Sequence, residues 1–172
     1  MRINFEDISY LKAGNDKQRR TYETLKKYRV LELLEKFDPI LTGTIPINID
    51  IETSDLDISC CYSDKDEFVD AVMHLFSHEK QFVLRENSEF NSVVCNFWLD
   101  DFELELFGQS IPTKQQHAYR HMLIEHQLLE ERGEAFRQEI IALKKQGYKT
   151  EPAFGIAMGL EGNPYEELLK FE

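Results

Sequence analysis

Leu41-Thr42-Gly43-Thr44 and, ten residues further on, Asp55-Leu56-Asp57-Ile58 are the stretches whose reading decides the fold. Leu56 to Tyr62 reads as a strand, and in a strand residues two apart share a face. Asp55 and Asp57 therefore project together, with Leu56 and Ile58 on the opposite side. Two neighbouring carboxylates repel unless a cation lies between them. Mg²⁺ takes oxygen ligands, commonly one or two carboxylates together with phosphate oxygens. A glycine shortly upstream, Gly43, lets backbone approach a phosphate with no Cβ in the way.

Working outward, Phe102-Glu103-Leu104-Glu105-Leu106-Phe107 repeats the pattern, with Glu103 and Glu105 on one face and apolar side chains on the other. If this strand lies beside the Asp55–Asp57 strand, one of the two glutamates completes a three-carboxylate cluster. Two-metal phosphoryl transfer uses such a cluster. The bland alternative is a solvent-facing acidic strand edge that resists aggregation.

The remaining elements follow from periodicity and breakers. Apolar residues at Tyr22, Leu25, Tyr28, Val30, Leu31 and Leu34 predict one helix over about 16–37, ended by Asp38-Pro39. Ile40-Leu41-Thr42 is a short strand. Ile45 to Glu52 alternates and predicts extended chain, demoted by Pro46 to an edge or loop. Ser63-Asp64-Lys65-Asp66 starts a helix that buries Phe68, Val69, Val72, Met73, Leu75 and Phe76. Phe82–Leu84, Ser92–Trp98 and Phe102–Phe107 are three strands, the last two joined at Leu99-Asp100-Asp101. Thr113 with Gln116 has the form of a capping box. Helices over about 114–132 and 134–146 follow, the second stopped by Gly147. Asn163-Pro164 opens a last short helix. The expectation is one α/β (α+β) domain over 1–172, with a small mixed sheet and flanking helices over 1–110 and a helical C-terminal segment over 111–172.

Composition narrows the function. The 172 residues are 42% apolar and 30% charged, with a net charge of −12. Such acidity argues against an extended nucleic-acid surface, which needs many Lys and Arg contacts to phosphate. The basic clusters Lys17 to Arg20, Lys26-Lys27 and Lys144-Lys145 sit beside acids and read as solvated helix faces. No apolar run is long enough to span a membrane, and Met1 to Glu6 carries no signal core, so the expected location is cytoplasmic. Cys60, Cys61 and Cys95 fit neither a disulfide framework nor a zinc site and read as small buried side chains. His74 with His78, and His117 with His121, have i,i+4 spacing but no third ligand nearby in sequence. Phe68, Phe76, Phe82, Phe97 and Trp98 have core-like spacing. Arg120, His121 and Lys114, just after the glutamate-bearing strand, are candidates to bring positive charge to phosphates.

Gly43-Thr44, Asp55-Leu56-Asp57 and Glu105 together resemble the signature of the nucleotidyltransferase superfamily: a Gly followed by a small residue, a gap, Asp-x-Asp, and a later acid on a neighbouring strand. The chain also resembles, more narrowly, uncharacterised bacterial nucleotidyltransferase-like proteins grouped as a domain of unknown function. That likeness rests on Gly43-Thr44-Ile45-Pro46, Ser54-Asp55-Leu56-Asp57-Ile58, Tyr119-Arg120-His121-Met122 and Lys149-Thr150-Glu151-Pro152-Ala153-Phe154. The superfamily resemblance implies Mg²⁺ (or Mn²⁺)-dependent transfer of a nucleoside monophosphate from a nucleoside triphosphate to an acceptor it does not specify. Asp55 and Asp57 would ligate metal, Glu105 or Glu103 would be the third carboxylate, and Gly43 and Thr44 would cradle the triphosphate. Thr44 stands where Ser is commoner, and the stretch after it lacks the short helix usual in transferases. A catalytically inactive nucleotide- or partner-binding module, or one half of a toxin–antitoxin pair, are the alternatives.

Overall fold

Alternation in the strands builds the sheet that carries the site. In the computed structural model, which describes residues 3–172, β1 (Ile40–Thr42), β2 (Leu56–Cys61), β3 (Lys80–Asn87), β4 (Ser92–Leu99) and β5 (Phe102–Gln109) form one mixed sheet in the order β1-β2-β5-β4-β3. Met1 and Arg2, the start of the stretch read as lacking a signal core, lie outside the described residues. β2 and β5 run parallel, and the other neighbours are antiparallel. The parallel pair is possible because α3 (Lys65–Phe76) and the β3–β4 hairpin form the crossover between them. Asp64 starts α3 as expected, its side chain accepting from the Glu67 N–H. The β4–β5 hairpin turns at Asp100-Asp101, with Leu99 opposite Phe102.

One sheet face is apolar. Leu56, Ile58, Cys60, Leu104 and Leu106 are buried there with Phe68, Val72 and Phe76 of α3 and with Leu25 and Val30 near the N-terminus. Gly108 lies against the Phe68 ring, where a Cβ would fall 2.4 Å from the ring edge. Phe97 stacks on Phe76, and Phe82 packs at the border of this core. Cys60 and Cys95 are buried free thiols, and Cys61 is half-buried.

A second core joins Ile40, Ile47 and Ile49 to the C-terminal helices α4 (His117–Arg132), α5 (Glu134–Lys145), α6 (Thr150–Met158) and α7 (Pro164–Leu168). Asn163 caps α7 through the Tyr165 N–H, with Pro164 in the first turn. The mixed five-stranded sheet, flanking helices and helical C-terminus are the architecture expected from the sequence.

Several element boundaries differ from expectation. The predicted helix over 16–37 is three pieces: α1 (Asp16–Lys27), α2 (Val30–Leu33) and a 3-10 turn at Glu35–Phe37. Arg29, with φ 54°, is left-handed and breaks it, so the apolar residues on either side reach the same core by a bend. Ile45 to Glu52 is not extended. Asn48 N–H donates to the Ile45 carbonyl, making a turn with Pro46 at its second position. The isoleucines alternate because Ile45 enters the first core while Ile47 and Ile49 enter the second. The capping box does not form. Thr113 Oγ1 donates to the Asp38 carbonyl and Gln116 Nε2 to the Cys60 and Ile111 carbonyls, so a 3-10 turn at Thr113–Gln115 ties the helical segment to the sheet, and α4 starts only at His117. α6 was masked in sequence by Pro152 and Gly155. Pro152 occupies its first turn, where no N–H is missed, and Gly155 admits Pro164 of α7, which a Cβ would approach to 3.0 Å.

Gly108→Ala forces a methyl group into the Phe68 ring in a filled core. It is expected to cost about 1–3 kcal/mol, measured as a lowered urea midpoint with an unchanged slope.

Candidate active site

Strand register brings the acids together. Asp57 is the Cα partner of Thr42 on β1 and of Glu105 on β5, so Asp57 sits on the middle strand of three. Asp57, Ser59, Glu105, Phe107 and Gln109 face a cavity of about 790 Å³ on the side of the sheet away from α3. Asp55, just before β2, lines the same cavity, as do Thr42, Gly43, Thr44 and Ser54. Glu103 is not among the lining residues. Asn96 Nδ2 lies 3.4 Å from its Oε1 and 3.5 Å from Glu105 Oε2, bridging the two glutamates.

Gly43 is required by its neighbour. Its φ is 79°, a left-handed value, and a Cβ there would stand 2.2 Å from Asp57 Oδ2. Only glycine lets β1 turn away directly over this carboxylate. Beyond it, Thr44 Oγ1 bonds Ser54 Oγ at 3.3 Å, and Ser54 Oγ accepts from the Ile51 N–H at 2.9 Å, so the loop between Gly43 and Asp55 closes on itself. Gln18 of α1 donates to the Ile45 carbonyl and Arg137 of α5 to the Ile47 carbonyl, fixing the intervening turn from both sides.

The acids feel one another. Burial raises the Asp57 pKa well above the usual carboxylate range, and the charges of Asp55 and Glu105 raise it further; Lys144 opposes them. Glu105 is raised by burial and then by Asp55, and is lowered by its bond from Asn96 and by Arg85, whose Nη2 lies 3.7 Å from Glu105 Oε2. Among the described residues no three His, Cys, Asp or Glu side chains are already gathered on a common point in the manner of a metal-ligand set. The three carboxylates share a wall of the cavity.

The opposite wall comes from the helical segment. Glu125 of α4, Lys144 of α5 and Glu151 of α6 line it, with His117, His121, Lys149 and Tyr165. Glu125 is 3% exposed and its Oε1 has no hydrogen-bond partner. Burial pushes its carboxyl well above the usual range, with the Glu151 charge adding to this and Lys144 opposing it. Lys144 is 6% exposed; burial pulls its ammonium down to about 8 against the pull of Glu125, Asp50, Asp57 and Glu151. The expectation of a solvated Lys144-Lys145 face is corrected at Lys144: it follows Phe136 and Ile140 at four-residue steps and shares their buried face. Glu125 likewise lies on the buried face of His121, Met122, Leu128 and Leu129. A charged residue at a core position of a helical repeat was the signal in sequence for both.

Other candidate residues have different engagements. Lys114 pairs with Glu6 at 2.7 Å, and Arg120 makes a two-pronged bond to Glu172 at 2.9 and 2.6 Å; neither lines the cavity. Lys114 lies in the 3-10 turn before α4, and Arg120 in the first turn of α4. His121 is buried, with Nε2 2.8 Å from the Tyr165 carbonyl oxygen and Nδ1 3.4 Å from Glu151. Arg20 with Asp101 and Lys27 with Asp100 are surface pairs, but the expected solvated face is corrected at Lys17 and Gln18: Lys17 is half-buried, donating to the Ile51 carbonyl at 2.7 Å beside Asp50, and Gln18 is buried against the turn after Thr44.

Residues 23–171 match the family described as "Domain of unknown function (DUF4269)". The chain belongs to this family. No curated protein matches it. The family's fold in this chain is nucleotidyltransferase-like. Similar solved structures include the Cid1 poly(U) polymerase with Mg 3′-dATP bound, with a TM-score of 0.60 and 13% identity over 90% of this chain and 48% of that one. A second is the GLD-2/RNP-8 complex, at 0.56 and 14% over 90% and 63%. A third is the polymerase core of TRAMP, at 0.55 and 12% over 94% and 50%. The chain thus spans about half to three-fifths of the length of these structures. At such identity the likeness is one of fold. No helix among the described residues is long and apolar enough to cross a membrane.

The Glu125 carboxyl has a folded pKa raised above its unfolded value. Its contribution to stability is therefore complete below the unfolded value and is lost as pH rises through the folded one. Glu125→Gln, neutral at every pH, is expected to melt progressively higher than the unsubstituted protein as pH is raised from 5 to 8. Parallel thermal melts across that range check the trend.

Proposed function

We propose that this protein transfers a nucleoside monophosphate from a nucleoside triphosphate to a hydroxyl acceptor. The observation that carries the reading is the register of Asp57 with Glu105 on adjacent parallel strands, with Gly43 turned over the Asp57 carboxylate. The donor set is all hard oxygen, which suits Mg²⁺ or Mn²⁺. A Cβ at Gly43 would stand 2.2 Å from Asp57 Oδ2, so glycine at this position keeps that carboxylate oxygen from being blocked by a side chain. Asp55, Asp57 and Glu105 would hold the metal. When bound, it would supply positive charge against the triphosphate and the attacking oxygen.

The chain's own groups do the rest. Gly43 and Thr44 present backbone to the phosphates. Lys144, buried and in no ion pair among the described residues, faces Asp57 across the cavity and is free to meet phosphate oxygens. In the transfer, the acceptor oxygen bonds to the α-phosphorus as the bond to the bridging oxygen breaks. The electron pair leaves with pyrophosphate. The acceptor's proton passes to a Glu105 carboxylate oxygen, which lines the cavity in register with Asp57. Glu105 is favoured over Glu103 on that ground.

A second reading, a nucleotide-binding module without turnover, is favoured by one observation: among the described residues the carboxylates are not already gathered as a metal-ligand set. Thermal shift with ATP, with and without Mg²⁺ or Mn²⁺, separates the two when paired with a transfer assay. Metal-dependent stabilisation without transfer to any acceptor would favour the module.

Asp57→Asn is expected to abolish transfer of labelled nucleotide while leaving the thermal midpoint equal or higher, since it removes a desolvated charge. Retained transfer would remove Asp57 from the reaction. Lys144→Met is expected to raise the KM for the triphosphate at least tenfold with a smaller change in kcat; the reverse split would count against a phosphate contact.

A further inference from the structure

The far wall of the cavity has a charge arrangement that the triphosphate does not use up. Glu125 and Glu151 stand there beside Lys144 and Lys149. Among the described residues neither lysine forms an ion pair there, and the one ionic neighbour of Glu151 is His121, whose Nδ1 lies 3.4 Å away. Glu125 makes this concrete: it is 3% exposed, it lines the cavity, and its Oε1 already has no hydrogen-bond partner. A buried carboxylate oxygen in that condition costs free energy until a donor reaches it. A neutral hydroxyl would bring a donor without charge, whereas an ammonium group would bring both charge and several N–H bonds.

We propose that the acceptor is a small polar molecule carrying ammonium groups as well as the reacting hydroxyl, held by Glu125 and Glu151 on the wall opposite Asp57 and Glu105. The inference rests on the transfer reading above and names the acceptor class for the same cavity. An RNA 3′ end is disfavoured on the same grounds. It would carry phosphates into a cavity lined by Asp55, Asp57, Glu105, Glu125 and Glu151, with no arginine among the lining residues, on a chain of net charge −12. Cavity and acceptor match in size as well, since about 790 Å³ holds a nucleotide and one or two sugar-sized rings but not a folded polymer.

Calorimetric titration of the full chain, without nucleotide or metal, tests this apart from transfer. The probes are 2-deoxystreptamine, a cyclitol with two ammonium groups, and myo-inositol, its neutral counterpart in shape. The expected result is binding of 2-deoxystreptamine at least tenfold tighter than myo-inositol, weakened at least tenfold in Glu125→Gln. Glu151→Gln, at a more exposed position, repeats the test should the first variant melt differently from the parent. Equal binding of the two cyclitols, no binding of either, or binding unaffected by both substitutions overturns the inference. So does tighter binding of a short oligoribonucleotide with a free 3′-hydroxyl. None of these outcomes touches the metal and triphosphate side of the site, which is read separately from Mg²⁺-ATP stabilisation and its loss in Asp57→Asn.

Discussion

The close approach of the β1 turn to the β2 strand, Gly43 laid over the Asp57 carboxylate, is the constraint on which the site depends. It places a carboxylate where water is partly excluded and where Asp55 and Glu105 repel it, an arrangement that raises the Asp57 pKa rather than stabilising the chain. The other face of the same strands offsets that cost. Leu56, Ile58, Leu104 and Leu106 are fully buried against the α3 side, and four such side chains contribute on the order of 10 kcal/mol of burial. A sheet of this kind can hold strain on one face because its period-2 alternation gives the opposite face wholly to the core.

The turn after Thr44 extends this constraint to the rest of the molecule. Ile45 belongs to the core beneath the sheet, and Ile47 and Ile49 belong to the helical core. Gln18 and Arg137 bond its carbonyls from α1 and α5. A shift in either core would therefore move the backbone beside Asp57. The two cores are joined at the turn, at β1, through Tyr10 and by the Gln116 contact to Cys60, and the cavity lies in front of β2 and β5.

The sheet was legible in sequence because a half-buried strand alternates. Asp55-Leu56-Asp57-Ile58 and Leu104-Glu105-Leu106 disclosed which side chains share a face, and the Gly43-Thr44 spacing tied them to a known architecture. Register was not legible: that Asp57 faces Glu105 and not Glu103 follows from how the β3–β4 hairpin and α3 carry the chain across, a non-local property. The turn at Ile45–Asn48 imitated a strand because its isoleucines divide between two cores, a division only tertiary structure creates. Lys144 and Glu125 were hidden by a rule that usually holds, that charged residues on amphipathic helices point to water. Each occupies a core step of its helix because it faces a polar cavity rather than solvent. Lys114 and Arg120 erred in the opposite sense: nearness in sequence to the glutamate strand placed them on the site, while in the fold they pair with Glu6 and Glu172 away from the cavity.

The electrostatics of the cavity also say how binding and folding are coupled. Acids stand on both walls, and the buried Lys144 between them forms no ion pair among the described residues; burial disfavours the charged form of Asp57, Glu105, Glu125 and Lys144 alike. Groups in that state are relieved by a ligand that brings the complementary charge, because the desolvation has already been borne in folding. Cations at the sheet wall and phosphate oxygens at Lys144 would each supply such a complement, and each would shift the folding equilibrium toward the native state by mass action. The free protein is then less stable than its cores alone would make it, and the deficit is stored at the atoms that line the cavity.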